Sequence, residues 1–351
     1  MLDLIIVGKG LAANILALRL QEHQLSYCII GDPLLSNCSR IAAGLWNPIV
    51  FKRMTLSWKA NEFIKELKVF YTSAEKITAS QFYNERVIIK PFFSEEEKNF
   101  WIKKSKNDLS QFIDPHIYEA NTQHKALVMP NSYGIVNNCG NIDMQSFLNA
   151  CENLHLENKN EVFDHSQLQI NQDHVVYKTI KAKSIVFCEG YLVKNNPFFN
   201  WIPMNSVKGE ILEIEAEGIK LDKEILNHNA FIFKLKDKRF KVGATYNWNE
   251  LNDEPTENGA NELMVKLKGL INAPYKILAH KTGVRPSTID RRPIIGQHPL
   301  HKNLFVFNGL GTKGVMLAPY FSKKFVHFYL NKEALDAEVD VKRFYSKYSN
   351  G

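Results

Sequence analysis

The sequence predicts a mixed α/β (α+β) fold of two interleaved units: a discontinuous nucleotide-type unit and an inserted, mainly antiparallel sheet unit. Three observations carry this. The opening stretch "LIIVGKGLAANILALRLQEHQLSYCIIGD" reads strand, glycine turn, helix, strand, acid. The closing stretch "NLFVFNGLGTKGVMLAPYFSKKFVHFYL" repeats strand, glycine turn and helix. Between them lie period-two apolar segments of the kind that pair as antiparallel strands.

Taken in order, Leu4–Val7 is a short buried-type strand, and Leu11–Glu22 is a helix with Leu11, Ile15 and Leu18 on one face. Tyr27–Ile30 is a second strand, and "SNCSRIAAGLWNPIVFKRM" is a loop, too polar and glycine-marked at its start for regular structure. A helix is expected over residues 59–77, with Phe63, Ile64, Leu67, Phe70 and Tyr71 along one face. "FYNERVIIKPFF" and the surroundings of "HKALVMPNSYGIVNN" read as short strands, and Asp143 as the N-cap of a helix carrying Phe147, Leu148 and Cys151. "KSIVFCEG" is a buried strand ending in glycine. "FIFKLKDKRFKVGATY" is a hairpin turning at Asp237-Lys238.

At 351 residues, with 45% hydrophobic and 23% charged residues, the chain has the composition of a globular protein of two packed units. Its net charge of +7 is mild and its lysines are scattered, so nucleic acid is not indicated as a partner. Five cysteines without a C-x-x-C spacing argue against a disulfide framework or zinc site, and no histidine spacing suggests a metal. No apolar run reaches membrane-spanning length, and the first strand begins at Leu2, so neither a membrane span nor a signal peptide is expected; a cytoplasmic location is.

Gly8 and Gly10 occupy the first two positions of a G-x-G-x-x-G turn, with Ala13 at the third. Such a turn lets backbone N–H groups, here those around Leu11 and Ala12, approach a pyrophosphate at a helix N-terminus. Asp32, 22 residues beyond Gly10, lies near where a ribose-binding acid belongs, although Gly31 ends the strand itself. A second glycine turn, at Gly309, Gly311 and Gly314, opens the last helix.

The run "GVRPSTIDRRPIIGQHPLHKNLFVFNGLGTKGVMLAP" resembles the C-terminal signature of the D-amino-acid oxidase and glycine oxidase superfamily of FAD enzymes, through Gly283, Arg285, Pro286, Asp290, Pro293, Gly296, Gly309, Gly311 and Gly314 to Pro319. "SRIAAGLWNP" resembles that family's flavin-contacting loop, and "IVFCEG" its strand end, with Glu189 replacing a small residue. "VKGEILEI" and "VGATYNW" resemble strands of its substrate domain.

The resemblance implies a Rossmann-like FAD-binding domain over residues 1–80, 140–202 and 283–351, and a substrate-binding sheet domain over 81–139 and 203–282. It implies non-covalent FAD contacted by Gly8, Gly10, Leu11, Ala12, Asp32, Ser39, Arg40, Ala43, Gly44, Val162, Gly190, Gly309, Gly311, Thr312, Lys313, Gly314 and Val315. Lys313 could add a cation beside the flavin, but reads more readily as a solvated lysine. Arg285 is the expected anchor for a substrate carboxylate, because a planar guanidinium pairs with it in bidentate fashion. Arg291 and Arg292 suit internal salt bridges instead. Tyr246 and Trp46 are pocket-wall or core residues, with Tyr246 able to add a hydroxyl donor. Lys208 reads as a surface lysine, although its loop borders the active site in relatives.

The implied reaction is oxidation of the C–N bond of a small amino acid or secondary amine, by hydride transfer from Cα to flavin N5. The imine then hydrolyses, and oxygen or another acceptor takes the electrons. Two alternatives stand beside it: an FAD-dependent tRNA-modification oxidase acting on a carboxymethylaminomethyl group, and a nucleotide-binding protein without this activity.

Overall fold

A computed structural model describes residues 1–32, 35, 38–154 and 157–348. Two large sheets carry the fold. In the first, Asn158–Lys159, Tyr27–Ile30, Leu2–Val7, Ile180–Phe187 and Leu304–Asn308 run parallel, and Ile294–Gln297 closes one side antiparallel. The start of the Ile180–Phe187 strand also pairs with an antiparallel extension, Leu168–Ile170 and Val175–Tyr177. The strands of this sheet are drawn from the beginning, the middle and the end of the chain.

Period-two alternation sends Leu4 and Ile6 to one face of this sheet and Ile5 and Val7 to the other, each into its own core. Four helices cover the first face: α1 (Leu11–Glu22), α3 (Ala60–Thr78), α5 (Met144–Leu154) and α7 (Gly314–Asn331), the short α2 (Cys38–Ile41) lying in the loop where no regular structure is expected. Asp143 does cap α5, its carboxylate accepting from the Ser146 N–H at 3.1 Å. α1 is buried more widely than its apolar face predicts. Even Arg19 is enclosed, between Glu22 (2.9 Å), Glu66 and the ring of Phe70 (4.6 Å). In α7, Pro319 cannot donate to the Val315 carbonyl one turn back; the Tyr71 hydroxyl donates to it instead, at 3.2 Å.

The second sheet runs Tyr275–Arg285, Val207–Ala216, Arg239–Gly243, Ala230–Lys236, Glu224–His228, Tyr83–Pro91, Ser132–Ile142 and Leu45–Trp46, with Tyr118–Glu119 added beside Ser132–Ile142. Among the described residues, only the Glu224–His228 and Tyr83–Pro91 pair of this sheet is parallel. The expected hairpin forms, and Asp237 turns it with φ 54°. Two helices that the sequence reading missed, α4 (Glu95–Ser105) and α6 (Glu257–Lys268), accompany this sheet.

Candidate active site

The strand Leu2–Val7 delivers the chain to Gly8, whose φ of +116° favours glycine. A Cβ there would stand 2.5 Å from the Cys188 carbonyl oxygen, so the turn fits closely against the end of the neighbouring strand. Asn14 holds the turn from within α1, its side-chain amide donating to the Lys9 and Gly10 carbonyls at 3.1 and 2.9 Å. The Ser39 hydroxyl accepts from the Leu11 N–H at 3.0 Å, which ties α2 to the N-terminus of α1.

The C-terminal turn is built by the same logic. Asn308 donates to the Gly190 carbonyl at 2.9 Å and accepts from the Gly309 N–H at 2.8 Å, fixing the ends of two adjacent strands together. The chain then passes through Gly311 into α7, and a Cβ on Gly314 would lie 2.9 Å from Leu11 Cδ2. The two glycine turns therefore abut, and the N-termini of α1 and α7 border one cavity of about 710 Å³.

The other side of that cavity belongs to the second sheet. Arg285 ends the strand Tyr275–Arg285 and lies flat across Gly209 of the neighbouring strand. A Cβ on Gly209 would be 2.0 Å from a guanidinium nitrogen. Arg285 Nη1 donates to the Thr245 carbonyl at 3.2 Å, and its guanidinium stacks on the Tyr246 ring at 4.6 Å. Among the described residues no carboxylate pairs with it. Arg292 reaches Glu338 at 3.4 Å, whereas Arg291 shows no ion pair among the described residues.

Gly8, Gly10, Leu11, Ala12, Asp32, Ser39, Ala43, Gly44, Val162, Gly190, Gly311, Thr312, Lys313, Gly314 and Val315 all line this cavity, as do Arg285 and Tyr246. Several expected residues stand elsewhere. Arg40 is drawn off the wall to α5, meeting Asn149 at 2.7 Å and Glu152 at 3.1 Å. Gly309 turns the chain behind the wall, with φ +73° and Thr288 2.9 Å from where its Cβ would be. Trp46 is 1% exposed and stacks on Tyr83 in the core.

Two lysines reverse their expected settings. Lys208 is not a surface residue: it is 0% exposed, and its ammonium donates to Asn252 at 2.7 Å. Lys313 is not a solvated one. It bonds the Ser57 hydroxyl, and burial pushes its pKa down to about 8. Sequence reasoning also missed Gly209, although a glycine inside a strand often marks such a close approach. It missed the wall pair His165 and Glu189 as well, 2.9 Å apart, with Asn196 donating to the second carboxylate oxygen at 2.6 Å.

The cavity suits a long, partly anionic, partly planar group. Two glycine-lined helix starts supply backbone donors and positive dipole ends, and glycines stand where a Cβ would collide with the wall.

Comparison with known proteins gives the family and the fold. Residues 3–327 match the model of the family described as FAD dependent oxidoreductase. The glycine oxidase of Bacillus subtilis (strain 168) is 28% identical over 186 residues, covering 49% of this chain and 50% of that protein. A tRNA 5-methylaminomethyl-2-thiouridine biosynthesis bifunctional protein of Leptospira borgpetersenii is 26% identical over 173 residues, covering 39% of this chain and 26% of that protein. The matched stretch thus spans half or less of these curated relatives. The solved glycine oxidase of Geobacillus kaustophilus has the same fold, with a TM-score of 0.77 at 18% identity, covering 98% of this chain and 97% of that one. With nearly its whole length matched by the family model and both glycine turns on one cavity, the chain belongs to the family of FAD-dependent oxidoreductases.

Proposed function

We propose that the chain oxidises the C–N bond of a small amino acid or secondary amine, with Arg285 anchoring the substrate carboxylate. The observation that carries this is the Arg285 guanidinium itself: it faces the cavity, is oriented by the Thr245 carbonyl and the Tyr246 ring, and has no carboxylate partner among the described residues. A planar, pre-oriented guanidinium holds a carboxylate in both position and plane, which fixes where the adjacent Cα–H points. Tyr246 adds a wall and a hydroxyl beside it.

The residues that would hold FAD are the two glycine turns with their helix starts, Gly8–Ala12 and Gly311–Val315, together with Asp32, Ser39, Ala43, Gly44, Val162 and Gly190. When bound, FAD supplies the acceptor for the hydride that leaves Cα; the resulting imine is hydrolysed by water. Non-covalent attachment fits the two cysteines on the wall. Burial pushes the Cys38 thiol up to about 11 and the Cys188 thiol well above its ordinary value, and a protonated thiol is a poor nucleophile.

The proposal extends to the division of the chain: FAD domain over 1–80, 140–202 and 283–351, substrate domain over the remainder. It also extends to a reducing, cytoplasmic setting, which the five unpaired cysteines suit. Oxygen or another acceptor would take the electrons.

The Leptospira relative supports a second reading, action on a modified tRNA base. Against it, two of the hairpin lysines that would meet phosphates are engaged: Lys234 with Asp222 at 2.7 Å and Lys238 with Glu217 at 2.6 Å.

The test is the visible spectrum of the purified protein, before and after anaerobic addition of pooled glycine, sarcosine, proline and D-amino acids. A flavin spectrum that bleaches supports the reading. A flavin spectrum that none of them bleaches sinks the small-substrate assignment, and salt-sensitive tRNA binding would then favour the second reading.

A further inference from the structure

Two aromatic side chains, Tyr246 on the cavity wall and Trp248 beside it, are left uncovered. Tyr246 and Trp248 are each 52% exposed, yet their rings stack on one another, 6.1 Å apart and 25° from parallel. Tyr246 lines the cavity and stacks on Arg285 with its ring, so guanidinium, phenol and indole form a continuous π surface leading away from the carboxylate anchor. Packing does not account for it, because about half of each residue is exposed to solvent.

The segment that presents these rings is pinned rather than loose. Asn247 exchanges both backbone hydrogen bonds with Lys208, at 2.8 and 3.0 Å. The Lys208 ammonium, buried beneath the segment, donates to Asn252 at 2.7 Å and stands 3.9 Å from Glu250. The Asn247 side chain accepts from the Asn249 and Glu250 N–H groups at 2.8 and 3.3 Å, closing the turn that carries Trp248. A buried ammonium is costly, and its placement here is explained by the rim it holds.

We propose that Tyr246 and Trp248 form a stacking subsite, positioned by Lys208, for a planar ring on the substrate. The substrate is then a carboxylate-bearing amine that carries an aromatic or heteroaromatic ring. This rests on the reading of Arg285 as the carboxylate anchor and narrows it. A substrate with no atoms beyond Cα would occupy Arg285 and leave the π surface empty, whereas a ring a few bonds away would lie along it. Aromatic pairing adds attraction beyond simple area burial, so a planar ring is favoured over a saturated ring of the same size.

The test titrates the FAD-loaded protein with phenylacetate and with cyclohexylacetate, following the flavin absorbance change. The two ligands share carboxylate and ring size and differ in planarity. Phenylacetate is expected to bind about five-fold more tightly, and Trp248→Ala to bring the ratio to about one. Trp248 is exposed, so that variant tests the subsite without disturbing the core. Lys208→Met is expected to lower the ratio as well, by releasing the rim, while a purely structural lysine would change melting temperature and leave the ratio alone. A ratio near one in the unsubstituted protein, or an unchanged ratio in Trp248→Ala, overturns the subsite. Arg285→Met separates the two claims. If it abolishes binding of both ligands, the anchor stands whatever the ratio; if it alters neither, or if neither ligand perturbs the flavin of the unsubstituted protein, the anchor falls and takes the subsite with it.

Discussion

Arg285 owes its position to the side chain that Gly209 lacks. Substituting Gly209→Ala places a methyl group 2.0 Å from the guanidinium, which must lift off the strand and lose its alignment with the Thr245 carbonyl. A charge-assisted hydrogen bond contributes about 1.5–3 kcal/mol, so carboxylate affinity should fall by roughly ten- to a hundred-fold. The flavin content should hold, because the glycine turns lie on the other sheet. Titration with a carboxylate ligand reads the first and the absorbance of the purified variant reads the second; unchanged affinity would remove Gly209 from the site. Lys313 makes a different prediction. Its pKa of about 8 lies below the ordinary lysine value of 10.5 because burial disfavours the ammonium. Below pH 8 both folded and unfolded chains carry the charge, and the folded one bears its full desolvation cost. Between about 8 and 10.5 the unfolded chain binds more protons, so this group's contribution to stability rises with pH, on the order of 1.4 kcal/mol per unit. Denaturant unfolding of the FAD-free protein should show that Lys313→Met is the more stable near pH 7 and that its advantage shrinks towards pH 10. An advantage independent of pH would contradict the depressed pKa.

Among the elements, α6 depends on one buried carboxylate. Glu210, 1% exposed, accepts from the Thr256 N–H and hydroxyl at 3.0 and 2.8 Å and lies 2.7 Å from His280 Nε2, while Thr256 caps the helix by accepting from the Gly259 N–H at 3.0 Å. Glu210→Ala removes the acceptor from the part-buried Thr256 N–H and hydroxyl, and a loss of about 1–3 kcal/mol is expected. Hydrogen exchange should rise first in α6; a uniform rise would mean that the cap is not what holds it. This helix was also invisible in the sequence, and the reason is physical. Its buried face is only Gly259, Leu263 and Leu267, too sparse for an apolar stripe, and α4 buries only Trp101 and Ser105. By contrast α1, the second strand and the long hairpin carry their own periodicity and turn residues, and were legible. The site divides the same way. Both glycine turns are runs of neighbouring residues, so their pattern survives in one dimension. Gly209 acquires its role only when Val207–Ala216 pairs with Tyr275–Arg285, more than sixty residues later, and Lys208 only when it pairs with Asn247; no local pattern records either pairing. The same holds for Lys313, drawn in from solvent by its contact with Ser57 across the fold.

At the scale of the whole molecule, the cavity is the place where two sheets of different construction share one wall. The parallel sheet offers strand ends and helix starts, which suit phosphate and ring edges; the antiparallel sheet offers a long side chain laid across a strand, which suits a small anion. Neither is complete alone, since the wall includes Gly8, Gly190 and Gly314 from one and Gly209, Ile211 and Arg285 from the other. A ligand that binds the folded chain and spans this wall stabilises it by mass action, about 4 kcal/mol when present at a thousand times its Kd. That stabilisation should not stay on one side. Addition of FAD to FAD-free protein is expected to slow amide exchange in α1 and the start of α7, and also in Val207–Ala216 and Tyr275–Arg285, where the two sheets meet the cavity. Protection confined to the parallel sheet would mean that the cofactor occupies only the nucleotide half and that Arg285 is too remote to place a substrate against it. Protection of both sheets would make cofactor loading the step that brings the anchor and the acceptor into one rigid site, so that a substrate carboxylate finds its partner already aligned.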